Sequence, residues 1–452
     1  MDAHINVYGA GLAGCEAAWQ ASRRGVKVTL YEMKPSKMTP AHSYKSGFAE
    51  LVCSNSLRNN AVDSAIGLLK EEMRRLGSLI MESAELSKVS AGGALAVDRV
   101  KFSDYITEKI KKDPNIEIVE CECDSVPDGE ITVIATGPLT SEKMFRCISA
   151  MTGEDNLSFF DAAAPIVSFD SIDMSKAFFA SRYGKGDADY INCPMNKEEY
   201  AAFYSALVSA ECAELHGFEK SEDLKVFEGC MPVEVMAKRG EDTLRFGPMK
   251  PVGIANPDTG ETYYAVVQLR RENEEGTMFN IVGFQTHLKF PEQRRVFSMI
   301  PGLENAEFLR YGVMHRNTFL NSPKLLNCDY SLRSDRNVFF AGQMTGVEGY
   351  IESAASGFVA GTFAAKRALG EEAEPFPAET MMGAMAKYVE RGGASEFQPM
   401  NANFGILPAA EIKIKGGKRA RYAYYAERSL KTIDRMADLF AFSKDRYHED
   451  HN

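Results

Sequence analysis

No run of eighteen uninterrupted apolar residues occurs in the 452-residue chain, so no membrane-spanning helix is expected. The opening residues, MDAHINVYGAGLAG, lack a basic stretch followed by an apolar one. No secretory signal is therefore expected, and the reading is a cytoplasmic protein. No pair of CxxC motifs is present, and the nine cysteines are odd in number and scattered. A disulfide scaffold is excluded and free thiols are expected. Cys121 and Cys123, one residue apart, fit same-face strand positions better than a zinc site. The seven histidines show no ligand spacing, so no metal is expected. Excess positive charge is also lacking: 52 Lys and Arg stand against 63 Asp and Glu, a net charge of −11. That argues against a protein that coats nucleic acid nonspecifically and leaves room for a local basic patch. Internal repeats and low-complexity linkers are absent.

What is present is ordinary globular composition, 45% apolar and 25% charged. The length suits two or three domains and is ample for a core without staples. His4–Tyr8 reads as a strand, Gly9-Ala10-Gly11-Leu12-Ala13-Gly14 as a turn, and Cys15–Arg24 as a helix ended by Gly25. Val26–Tyr31 reads as a second strand, with Glu32 at its end. This is a βαβ unit with GxGxxG in its turn and an acid 18 residues after the last glycine. Gly9 permits the tight turn, Gly11 lets the backbone approach a pyrophosphate, and Gly14 lets helix pack on strand. Free amides at the helix start favour phosphate. Glu32 can accept hydrogen bonds from ribose hydroxyls and disfavours a 2′-phosphate.

Two later segments point to FAD rather than NAD. Glu130–Gly137 (EITVIATG) is a β-branched strand running into Thr136 and Gly137. Asn337–Gly342 (NVFFAG) is another buried strand, running into Gln343 and then a helix of small residues, Ser353–Ala365. A chain that returns to its first sheet so late suits an FAD domain interrupted by an insertion. Between them, Pro165–Phe169, Thr262–Leu269 and Met278–Phe284 read as strands, Lys197–Ala213 as helical, and Asn256–Gly260 as a hairpin turn joining two strands. The expected fold is α/β: a Rossmann-like FAD-binding domain, a parallel sheet with helices on both faces, carrying an inserted α+β domain. The expected division is 1–160, FAD-binding, first part; 161–330, inserted α+β substrate domain; and 331–452, the return segment with a basic helical C-terminal part.

Two thiols have suggestive settings. Cys53 lies in AELVCSNSLRNN (49–60), among polar side chains with Arg58 nearby. Cys230 lies in FEGCMPVE (227–234), on a loop constrained by glycine and proline, with Glu228 and Glu234 close by. Residues 411–431 hold seven Lys and Arg against two acids, interleaved with Tyr422, Tyr424 and Tyr425. Charge with aromatic surfaces suits RNA, with Lys415, Lys418, Arg419 and Arg421 as candidate contacts.

These residues closely resemble the bacterial folate- and FAD-dependent tRNA (uracil-5-)-methyltransferases, the TrmFO family. The similarity runs through nearly the whole chain. It is carried most specifically by YGAGLAGCEAAWQ (8–20), LYEMKP (30–35), FAELVCSNSLR (48–58), GLLKEEMR (67–74) and AGGALAVDR (91–99). IATGPLTSE (134–142), EGCMPVEVMAKRG (228–240), LRFGPMKPVG (244–253), FFAGQMTGVEGYIESAASG (339–357) and FQPMNANFGILP (397–408) extend it. Departures are mild: Cys15 stands where a Ser is common and Met344 where an Ile is usual.

The resemblance implies transfer of a one-carbon unit from 5,10-methylenetetrahydrofolate, by way of FAD reduced by NADH or NADPH, to C5 of the T-loop uridine of tRNA. A cysteine adding to C6 of the uracil makes C5 nucleophilic, and a base then removes the C5 proton. The motif cysteines are Cys53 and Cys230. Cys230 is expected to be the nucleophile and Cys53 the base or flavin-side partner, with the reverse assignment open. The cofactor is expected to contact Gly9, Ala10, Gly11, Leu12, Ala13, Gly14, Glu32, Thr136, Gly137, Gly342 and Gln343. S-adenosylmethionine is not implied, and no obligate protein partner is evident. A paralogous folate- and FAD-dependent enzyme acting on 23S rRNA is the alternative. A non-catalytic FAD-containing RNA-binding factor is a third reading.

Overall fold

The computed structural model describes residues 3–39, 42, 44–153, 157–162, 164–184, 187–213, 231–312, 314–392 and 397–439. Cys230, with Glu228 and the rest of 214–230, lies outside the described residues.

The first sheet has five strands in the order Val338–Phe340, Thr132–Ile134, His4–Tyr8, Lys27–Glu32 and Ile116–Glu120. Every pairing in it is parallel. Its apolar, β-branched central strands are buried, as a parallel sheet covered by helices requires. The late strand pairs Val338 with Thr132 and Phe340 with Ile134, so the chain does return to its opening sheet. The α/β expectation holds.

Helix Tyr350–Ala368 packs directly on helix Leu12–Ser22. A Cβ at Gly357 would stand 2.1 Å from the Ala13 carbonyl oxygen, and one at Gly361 would stand 2.5 Å from the Ala17 Cα. The small residues legible in 353–365 are thus what lets the two helix axes approach. Helix Leu12–Ser22 starts three residues earlier than the sequence pattern suggests, because Leu12 and Ala13 already turn helically behind the N-cap Gly11.

The second sheet builds a separate core. Its order is Phe178–Phe179, Tyr190–Met195, Ala265–Arg271, Met278–Ile281, Ile166–Ser168 and Phe308–Arg310, with antiparallel pairings. Helix Lys197–Val208 covers it, burying Tyr200, Phe203 and Leu207 against Phe284 and Phe297. The Asn256–Gly260 turn forms, with Gly260 donating to the Asn256 carbonyl at 2.8 Å. It does not join two strands as expected. Pro248, Pro251 and Gly253 (φ +82°) precede it, and such residues cannot supply a ladder. Strand Ala265–Arg271 pairs instead with Tyr190–Met195.

Cys121 and Cys123 also differ from expectation. Their strand ends at Glu120, so both lie beyond it, with sulfurs 3.5 Å apart.

Candidate active site

The glycine turn opens a cleft at the carboxyl ends of the parallel strands. About 1190 Å³ of empty space lies there, open to solvent. Gly9, Ala10, Gly11, Leu12, Ala13, Glu32, Thr136, Gly137, Gly342 and Gln343 all line it. Gly14 sits beneath, where an added Cβ would meet the Gly9 carbonyl oxygen at 1.8 Å. Gly9 holds φ +97°, a conformation that side chains resist. A Cβ at Gly11, by contrast, would meet nothing within 4 Å and would point into open space. The N-cap of helix Leu12–Ser22 has no side-chain hydrogen bond, so its first amides face the cleft uncapped. That is the cradle a pyrophosphate needs. Glu32 is buried and its two oxygens accept from the Ala10 N–H at 2.8 Å and the Lys34 N–H at 2.9 Å. Each oxygen keeps a second lone pair for a ribose hydroxyl. These residues fit FAD.

Lys34 continues the wall: its Nζ donates to the Tyr44 and Gly47 carbonyls at 3.2 and 2.5 Å. Those bonds fasten the stretch that leads to Val52 and Cys53. Val52 and Tyr350 both line the cleft, so Cys53 is one residue from its wall. The Tyr350 phenolic oxygen accepts the Cys53 N–H at 2.7 Å and the Ser54 N–H at 3.1 Å. Burial, reinforced by Cys53 and opposed by Arg99, holds the Tyr350 phenol well above its ordinary range, so it stays neutral.

The loop around Cys53 is held by cations. Arg99 donates to the Leu51 carbonyl at 2.6 Å and the Cys53 carbonyl at 3.4 Å. Arg310 donates to the Val52 carbonyl, and buried Lys70 to the Leu57 and Arg58 carbonyls at 2.8 and 3.1 Å. Arg270 reaches Ser54 Oγ at 2.7 Å and Asn55 Oδ1 at 3.2 Å. Asn55, fully buried, donates to the Val97 and Arg271 carbonyls at 3.1 and 2.9 Å. The loop therefore sits where the parallel-sheet core meets the antiparallel sheet. Two acids offset part of the charge: Glu272 pairs with Arg99 at 2.7 Å, and Glu352 with Arg58. Burial lowers the Arg310 pKa and neighbouring Arg99 lowers it further; at Arg99 burial also lowers it, but Glu272, Tyr350 and Cys53 together outweigh burial and raise it.

The motif residue Arg58 thus binds Glu352 rather than Cys53. Among the described residues, Arg99, Arg310 and Tyr350 lie in electrostatic reach of Cys53, none singled out from the sequence. Their only sequence signal was membership of two long motifs for Arg99 and Tyr350. Arg310 had none.

In the C-terminal helix Gly417–Leu439, Lys418, Arg419 and Arg421 are exposed, as is Lys415 just before it. The tyrosines are used differently from expectation. Tyr425 is buried, and Tyr422 stacks on Phe404 with ring centroids 4.2 Å apart. They dock the helix, leaving charge rather than stacking surface outward. Among the described residues, no helix is long and apolar enough to cross a membrane.

Comparison with known proteins agrees with this architecture. Residues 4–372 match the family described as glucose inhibited division protein A. A relative from Acetivibrio thermocellus is 60% identical over 97% of this chain and 99% of its own. It is named methylenetetrahydrofolate--tRNA-(uracil-5-)-methyltransferase TrmFO. Relatives of the same name from Lactobacillus acidophilus and Desulfitobacterium hafniense are 57% and 59% identical, over 96% and 95% of this chain and 98% and 97% of theirs. Among solved structures, Aquifex aeolicus GidA superposes with a TM-score of 0.71 at 16% identity, covering 98% of this chain and 74% of that one. It is similar in fold.

Proposed function

The chain belongs to the glucose inhibited division protein A family, and within it to the methylenetetrahydrofolate--tRNA-(uracil-5-)-methyltransferases; from that premise we propose how its residues carry out the methylation. The enzyme transfers the one-carbon unit of 5,10-methylenetetrahydrofolate to C5 of a tRNA uridine. The T-loop uridine is the proposed target and the cytoplasm the proposed location. Bound FAD, reduced by NADH or NADPH, supplies the electrons that turn a methylene into a methyl group.

The chain's own residues do the rest. Gly9–Gly14 and Glu32 seat the dinucleotide, and Thr136, Gly137, Gly342 and Gln343 close the cleft around it. Cys230 adds through sulfur to uracil C6, which places electron density on C5. Cys53 takes the C5 proton once the carbon is attached, and departure of the Cys230 sulfur restores the ring. Arg99 and Arg310 favour the thiolate form in which Cys53 can accept that proton, and Tyr350 fixes its backbone. Lys415, Lys418, Arg419 and Arg421 take the phosphates of the RNA. Residues 1–160 and 331–452 serve as the FAD-binding part and 161–330 as the substrate part.

The observation that carries this reading is the seating of Cys53 one residue from the FAD cleft, under Tyr350 and two arginines. The test is one assay. Purified protein is incubated with unmodified tRNA, NADPH and labelled 5,10-methylenetetrahydrofolate, with labelled S-adenosylmethionine in parallel. Label enters a T-loop uridine from the folate alone. Label from S-adenosylmethionine, or label entering ribosomal RNA but not tRNA when each RNA is supplied separately, overturns the reading.

A further inference from the structure

Three residues far from one another in sequence converge on the antiparallel-sheet side of the molecule. Cys212 follows helix Lys197–Val208, Glu234 lies in the first turn of helix Val233–Lys238, and His287 lies beyond strand Met278–Ile281. One ligand atom from each, a thiol sulfur, a carboxylate oxygen and an imidazole nitrogen, lies within 4.8 Å of the other two. We propose that Cys212, Glu234 and His287 form a binding site for a zinc-class divalent ion.

Bonds of about 2.0–2.3 Å to N, O and S set tetrahedral ligand atoms roughly 3.3–3.8 Å apart. The three atoms lie within 4.8 Å of one another, and Glu234 Oε1 and His287 Nδ1 share a hydrogen bond at 2.6 Å. An ion would replace the proton between those two, part them slightly and draw in the Cys212 sulfur.

The chain positions all three independently of any ion. Cys212 forms a backbone bridge with Leu288, and the Ala213 N–H donates to the His287 carbonyl at 2.8 Å. The Val233 N–H donates to the Gln285 carbonyl at 2.7 Å. Glu234 is oriented by the Thr286 hydroxyl at 2.8 Å and the His287 N–H at 3.0 Å, and its Oε1 lies 2.6 Å from His287 Nδ1. The Thr286 hydroxyl and the His287 backbone N–H, which lie beyond the ligand atoms, fix the orientation that a metal then meets.

The donor set chooses the ion. A thiolate and an imidazole are poor partners for magnesium or calcium and good ones for zinc. The setting is not a surface cluster of acids: Glu234 is 1% exposed and His287 8%. Glu234 is already paired with His287, so a zinc ion would take over the neutralising role of the imidazole proton it displaces. Cys212 is partly exposed, which gives an ion a route inward. Three protein ligands leave a fourth tetrahedral position for water. The ligands also bracket the chain around Cys230: Cys212 comes before it and Glu234 after it. Occupancy of the site would tie both flanks of that segment to residues 285–288.

The test is equilibrium dialysis of the full-length flavoprotein against zinc chloride with excess magnesium, the metal per chain being counted by mass spectrometry. One zinc ion per chain is expected to remain. Cys212→Ala and His287→Gln are each expected to weaken zinc retention by about tenfold or more. Cys212→Ala truncates a partly exposed side chain, so it keeps the test decisive if His287→Gln folds poorly. Failure of the wild-type protein to retain zinc overturns the proposal. So does retention by Cys212→Ala equal to that of the wild type, which would place the metal on other thiols.

Discussion

The phenolic oxygen of Tyr350 accepts the backbone N–H of Cys53 across 297 positions of sequence. Tyr350 opens the helix that packs on the cofactor-turn helix, so one side chain ties the thiol's loop to the FAD cleft. Tyr350→Phe removes the only oxygen on that ring and leaves the Cys53 and Ser54 amides without it. The cost is about 1 kcal/mol for partly buried donors that lose their partner. Turnover is expected to fall while bound flavin stays unchanged, because the ring still fills its place. Steady-state kinetics beside the flavin-to-protein absorbance ratio checks this.

The two candidate thiols separate by the bond each is proposed to make. A tRNA carrying 5-fluorouridine at the target cannot lose a proton from C5, so addition at C6 is trapped as a covalent complex. Wild type and Cys53→Ala are both expected to form that complex, while on unsubstituted tRNA Cys53→Ala is expected to give no methylated product. Cys230→Ala is expected to form none, and both variants keep FAD. A denaturing gel with labelled RNA reads the result; a complex with Cys230→Ala would reverse the assignment.

Gly11 and Gly14 differ in what a methyl group would meet. At Gly14 it would overlap the Gly9 carbonyl at 1.8 Å, so Gly14→Ala is expected to disrupt the turn and destabilise the whole protein. At Gly11 it would meet no protein atom within 4 Å and would occupy the space left for the pyrophosphate. Gly11→Ala is therefore expected to fold with an unchanged melting temperature in the absence of flavin and to bind FAD at least about tenfold more weakly, a loss of about 1.4 kcal/mol. Flavin titration with thermal unfolding of the flavin-free protein distinguishes the two.

That pair shows why the cofactor cradle was legible. Its turn, helix start and acid all fall within Gly9–Glu32, and their chemistry depends on neighbours in sequence. The return strand Val338–Phe340 was legible too, through its β-branched and aromatic run. The setting of Cys53 was not. Arg99 and Tyr350 reach it from helices 46 and 297 positions away in sequence, and Arg310 reaches the neighbouring Val52 carbonyl from the second sheet. Arg58, the arginine that is near in sequence, turns away to Glu352. Lys70 looks like one more surface charge on an amphipathic helix, yet it is fully buried on the Leu57 and Arg58 carbonyls. The convergence of Cys212, Glu234 and His287 has no spacing signature, because three separate segments supply it.

The exposed charges at Lys415, Lys418, Arg419 and Arg421 make a prediction about salt. Replacing all four by Ala is expected to raise KM for tRNA with little change in kcat at saturating RNA. The dependence of log affinity on log salt should flatten by about one for each RNA phosphate that is no longer neutralised. Filter binding across a salt series measures it. An unchanged slope would move the RNA to another face.

Glu72 gives the pH prediction. It is fully buried in helix Ala65–Arg75 and accepts the Met381 N–H at 2.6 Å, the Met382 N–H at 2.9 Å and the Ser429 hydroxyl. One carboxyl thus joins two C-terminal helices to the FAD-binding core. Burial raises its pKa to about 7 from 4.5, against the opposing pull of those three donors. The folded state therefore holds a proton that the unfolded chain releases between these two values. Stability from this group is fully present below the unfolded pKa and is lost as pH rises through about 7. Glu72→Gln cannot titrate, so it lacks this term while keeping one carbonyl acceptor. The melting temperature of the wild type minus that of Glu72→Gln is expected to fall between about pH 5 and pH 8, by several degrees in total. Thermal unfolding of both proteins across that range decides it, and a difference that stays flat or grows with pH would show that the three donors outweigh burial.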